Sequence, residues 1–123
     1  VNLLLYARPE DDEGKRLQVA VHEALPLHPL QVFRSIIALQ QQLRSFVIPE
    51  SIAILSANNQ SELRQMQILR PLLTEIFVVL IIPDSRKRTI RLAHLLLPRF
   101  MTSQKEGFVN LQEVLKKMVC TPH

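Results

Sequence analysis

The sequence predicts a single α/β domain: a five-stranded parallel sheet, doubly wound, with helices on both faces. Apolar runs of strand length alternate along the chain with amphipathic stretches of helix length, joined by short polar loops. The run over 76–82, IFVVLII, is apolar throughout and largely β-branched, as a parallel strand covered on both faces requires. At 123 residues the chain supports one hydrophobic core, since domains most often run to about 100–150 residues. Its 47% hydrophobic and 21% charged content is that of a folded globule and not of a disordered segment.

Residues 2–7 (NLLLYA) read as a buried first strand. The acidic stretch Glu10, Asp11, Asp12 and Glu13 suits the positive end of a following helix, predicted over 13–25 with Leu17, Ala20, Val21, Ala24 and Leu25 on one face. Pro26 and Pro29 stop it, and 30–33 form a short second strand. Ser35 is placed to cap a helix over 36–46, whose apolar stripe is Ile36, Ile37, Leu39, Leu43 and Phe46; Pro49 closes it. The third strand is 51–57 (SIAILSA). Asn58 and Asn59 then turn the chain, and Ser61, with Arg64 and Gln65 behind it, opens a helix to residue 74 in which Pro71 imposes a kink or an early end.

After the 76–82 strand, Asp84 and Ser85 are expected to cap a basic helix over 86–97 that Pro98 ends. Residues 100–102 form a fifth strand and 104–107 a loop. Asn110 caps a last helix with Leu111, Val114, Leu115 and Met118 inward. The domain is expected to occupy 1–119, with 120–123 a tail. Strict alternation with short loops favours right-handed parallel crossovers. The usual strand order at this size, 2-1-3-4-5, places any ligand beyond the carboxyl ends of strands one, three and four.

Composition excludes several roles. Only two glycines are present, too few for a backbone wrapped tightly around a phosphate. The single cysteine, Cys120, has no internal disulfide partner, so a reducing cytoplasm is the simplest compartment. No apolar run approaches the ~18 residues that span a bilayer, so no membrane association is expected. The start lacks the basic head and cleavage site of a secretory signal, and it lacks Met, which suggests a piece of a longer protein. The net charge of +4 raises acidic partners or nucleic acid. The basic residues are scattered except for Arg86, Lys87, Arg88 and Arg91, and no aromatic and basic interleaving occurs, which argues against direct nucleic-acid binding.

The loops at the carboxyl ends hold few reactive groups. Four successive carboxylates after the first strand would repel a flavin or nucleotide phosphate. They could hold Mg²⁺, although solvated charges at a helix N-terminus are the simpler reading, and no metal site is expected. The third loop offers Ser56, Asn58 and Asn59, and the fourth offers Asp84 and Ser85. His22, His28, His94 and His123 are too dispersed for a ligand pair. No nucleophile elbow, P-loop or dinucleotide fingerprint occurs, so neither catalysis nor a cofactor is expected.

With five strands, an acidic first loop and Lys105 just past the fifth strand, the chain resembles the receiver (CheY-like) domain of bacterial response regulators across nearly its whole length. In that family an acidic pair ends strand one, a phosphorylated aspartate ends strand three, a Thr or Ser ends strand four, and a Lys follows strand five. Here the strand-one positions fall at about Tyr6 and Ala7, with Asp11 and Asp12 displaced downstream. The phospho-acceptor position falls at Ser56, and the hydroxyl position at Ile82 or Pro83. The resemblance therefore implies a pseudo-receiver: a degenerate pocket of Asp11, Asp12, Asp84 and Lys105 around Ser56, without aspartyl-phosphate switching. It also implies a protein-interaction role in a signalling or transcription-regulating chain, with homodimer or partner contacts through helix four, strand five and helix five. On that face lie Arg86, Lys87, Arg88, Arg91, Lys116 and Lys117, which favour acidic partner surfaces. The alternative is a small flavodoxin-like ligand-binding domain or enzyme using Asp84, Ser56 and Lys105 around the crevice.

Overall fold

An uninterrupted apolar run can be satisfied only where both faces are covered, and the IFVVLII segment meets that condition as an inner strand. In the computed structural model, which describes residues 2–7, 12–45, 51–74, 76–103, 106 and 108–120, this segment forms β4 (Phe77–Ile82). It lies between β3 (Ile52–Ser56) and β5 (Phe100–Ser103). With β1 (Leu3–Tyr6) and β2 (Leu30–Phe33) the sheet has the order β2-β1-β3-β4-β5, and every pairing is parallel. The α/β doubly wound architecture is as the sequence predicts, and so is the strand order.

The helices divide between the two faces. One face of the sheet, carrying Leu4, Tyr6, Ala53, Leu55, Val78, Leu80 and Ile82, packs against α2 (Ile36–Ser45), α3 (Gln60–Met66) and α4 (Lys87–His94). The other, carrying Leu3, Leu5, Ile52, Ile54, Val79 and Ile81, packs against α1 (Asp12–Ala24) and α5 (Val109–Cys120). The alternation follows from the period-two pleat of each strand. Gln112 Nε2 on α5 donates to the Ala20 carbonyl on α1 at 2.9 Å and ties that layer together.

Local chemistry sets most boundaries. Ser35 caps α2 as expected, its Oγ accepting from the Ala38 N–H at 3.1 Å. Phe46 and Pro49, assigned to the end of that helix, lie outside the described residues. The helix expected from Ser61 to residue 74 differs in two ways. Its cap is Asn59, whose Oδ1 accepts from the Glu62 N–H at 2.8 Å, so α3 begins at Gln60. It ends at Met66, and the chain continues as a 3-10 helix over Gln67–Leu72 that contains Pro71. Proline lacks the N–H that an α-helix would need there, and the tighter coil accommodates the missing bond.

Two further boundaries move. Asp84 and Ser85 do not occupy the cap of α4; Arg86 does, in extended conformation and without a capping side chain. The helix is shorter than 86–97 because the backbone turns after His94, and Leu97 takes a left-handed φ of 54° ahead of Pro98. At the other end of the chain α5 starts at Val109, one residue ahead of the expected cap Asn110.

Candidate functional site

Parallel sheets of this order present a crevice at their carboxyl edge, where β1 and β3 send their helices to opposite faces. The residues there are Tyr6 at the end of β1 and Ala7 after it, Ser56 at the end of β3 and Ala57 to Asn59 after it, Pro83 and Asp84 after β4, and Thr102 and Ser103 on β5.

On the side of α3 and α4 this edge is occupied by the protein's own side chains. Glu62, the third residue of α3, is 1% exposed. Its Oε2 accepts from Tyr6 Oη at 3.0 Å and its Oε1 from the Asn58 N–H at 2.8 Å. One carboxyl group thereby joins the end of β1 to the loop after β3. A second set of bonds joins α3 to the loop after β4: Gln60 Nε2 donates to Thr89 Oγ1 at 2.9 Å, and Thr89 Oγ1 donates to Asp84 Oδ1 at 2.6 Å. Asp84 Oδ1 also accepts from the Arg86 N–H at 3.0 Å, a local Asx-type contact that replaces the expected cap. Below these, Gln67 Nε2 donates to the carbonyls of Leu63 and Leu92 at 3.2 and 3.1 Å, fastening the end of α3 to α4. Among the described residues no buried side-chain nitrogen or oxygen lacks a hydrogen-bond partner. Satisfied networks of this kind hold a single arrangement, because any other leaves polar groups buried without partners.

Ser56 stands apart from that network. It is 6% exposed, and its register aligns it with Ile81 and, through Ile81, with Thr102. Alternation puts this row on the face of Ile52 and Ile54, towards α1 and α5, whereas Asp84 engages Thr89 on α4, across the sheet. Thr102 Oγ1 donates to Glu106 Oε2 at 3.0 Å. Asp12 opens α1 as an exposed residue, in keeping with a charge at a helix N-terminus. Asp11 and Lys105 lie outside the described residues. Among the described residues no three His, Cys, Asp or Glu side chains gather as metal ligands would.

Glu62 and Thr89 are not among the site residues that the sequence pattern singles out. The spacing of Asn59 and Glu62 is a near relative of the capping box, and it was the available signal. The partnership with Tyr6 spans 56 positions and is legible only once β1 and β3 are known to be neighbours.

The second candidate surface is the outer side of α4. Arg86, Lys87, Arg88, Arg91 and His94 are all exposed, while Thr89, Ala93 and Leu96 point into the protein. Lys116 and Lys117 are exposed on α5. Past the helix, Arg99 stacks over the Phe77 ring, 4.7 Å from its centroid, at the start of the β5 edge. A left-handed leucine is uncommon, since its Cβ meets the backbone; the conformation costs about 1–2 kcal/mol. Among the described residues no helix is long and apolar enough to cross a membrane. The chain matches no family model, no curated protein and no solved structure at a significant level.

Proposed function

We propose that this chain is a receiver-like regulatory and protein-interaction module of a signalling or transcription-regulating protein, one that aspartyl phosphorylation does not switch. The observation that carries this reading is the Glu62 carboxyl, buried between Tyr6 Oη and the Asn58 N–H at the carboxyl edge of the sheet. A phosphoryl switch needs a carboxylate at the end of β3, room for an incoming anion, and a mobile hydroxyl after β4 to follow the new charge. The residue at the end of β3 is Ser56, whose hydroxyl cannot form an acyl phosphate. Of the two hydroxyls that follow β4, Thr89 on α4 already donates to Asp84, and Ser85 in the loop is exposed. Filling and bonding of this kind support a fixed scaffold that works by display. The exposed cations of α4, with Lys116 and Lys117 on α5, are the surface it would display to an acidic partner or a second copy.

Backbone amide NMR in Mg²⁺ with beryllofluoride, a mimic of the acyl phosphate, tests the reading. The expected spectrum is unchanged over 56–62 and 84–89. Saturable shifts in those segments would establish a working phosphoryl pocket and overturn it.

A further inference from the structure

We infer that the outer face of α4 and the turn after it bind an acidic, leucine-bearing helical segment of a partner protein, whose carboxylates pair with Arg88 and Arg91 and whose apolar stripe receives Leu97. The inference rests on the interaction role proposed above and names its partner.

Charge is the first ground. Residues 85–103 carry five Lys and Arg side chains and no Asp or Glu, so the rest of the chain carries ten cations against eleven carboxylates. The whole of the net +4 therefore resides in α4 and its flanks, and the remaining surface is nearly balanced. Solubility is served by mixed charge spread over a surface. A single-sign patch on an otherwise neutral domain attracts and orients the opposite sign. Asp84, just ahead of this segment in sequence, is partly buried and accepts from Thr89 and from the Arg86 N–H.

Leu97 is the second ground. It is 69% exposed, with Leu95 beside it also exposed, and it holds φ at 54°, where glycine is the usual residue after a helix. The leucine side chain thus carries a backbone penalty at a position where it gains little burial. Helical spacing places Arg88, Arg91 and Leu95 on one outward stripe, and the exposed Leu97 follows two residues later in the turn, so cations and apolar groups are neighbours in this segment. A nucleic-acid backbone would meet the arginines and offer nothing to the leucines. A helical segment with glutamates flanking leucines meets both.

The test is an amide NMR titration of the labelled protein with a designed peptide bearing leucines at i, i+3, i+4 and i+7 and glutamates elsewhere. Shifts are expected over 86–99, with affinity falling about tenfold on raising salt to about 1 M. Arg88→Glu with Arg91→Glu is expected to weaken binding at least tenfold, as is replacing the peptide's glutamates by lysines. Leu97→Gly separates binding from folding, since glycine adopts this φ freely: the thermal midpoint should hold or rise while binding weakens about tenfold. Unchanged affinity in Leu97→Gly would overturn the inference. So would tighter binding of duplex DNA or phosphatidylserine vesicles through the same arginines, or occupation of the face by a second copy in sedimentation. Peptide shifts confined to another face would overturn it while leaving an interaction role intact. Absence of any shift would end it as well, and the beryllofluoride result would still decide the non-switching reading separately.

Discussion

Replacing Glu62 by alanine lowers the free energy of unfolding by about 3 kcal/mol, because it deprives two groups at the carboxyl edge of an acceptor. The Tyr6 hydroxyl and the Asn58 N–H both donate to this carboxyl, and burial leaves little solvent to replace it. Set against the 5–15 kcal/mol that holds a typical domain together, the loss shifts the thermal midpoint by about 10 °C. Glu62→Gln keeps the shape and an acceptor for the Asn58 N–H, so it should cost about 1 kcal/mol. Urea unfolding of the two variants beside the native chain measures both values. Equal, negligible losses would show that Glu62 does not hold the edge together.

Leu55→Ala is expected to be the more damaging change, at about 4 kcal/mol. Leu55 is fully buried on β3, the central strand, with Tyr6 and Leu80 as its register neighbours. The void it leaves borders Tyr6, so part of its cost is loss of the surface that holds the Tyr6 hydroxyl against Glu62. The double variant with Glu62→Ala should therefore lose less than the two single losses added together, since neighbouring sites share their partners. Strict additivity in denaturant unfolding would place Leu55 and Glu62 in independent parts of the core.

The sheet was legible in the sequence because its determinants are local. An apolar run such as 76–82 can be buried on both faces whatever lies around it, and Ser35 or Pro71 acts within a few residues of its own position. The site was less legible because its bonds cross the chain. Asp84 reads locally as a cap, yet the helix it was to cap supplies Thr89, whose hydroxyl offers a stronger use for the same oxygen. Glu62 reads as one more charge on a helix, and only the adjacency of β1 and β3 turns it into a buried bridge to Tyr6. Pro98 marks Leu97 as the last residue of the expected helix; the helix instead ends at His94, and Leu97 takes a left-handed turn ahead of that proline. Ser56 was the exception, since the residue type that ends β3 is plain in the sequence once the strand is placed.

The proposed role, a receiver-like module that works without phosphoryl transfer, rests on a crevice edge held by Glu62, Tyr6, Asp84 and Thr89. Intact-protein mass spectrometry after incubation with acetyl phosphate and Mg²⁺ tests it most directly. The expected result is the unmodified mass alone, at neutral and at acid quench. A species heavier by one phosphoryl group, on any residue of the folded chain, would contradict it.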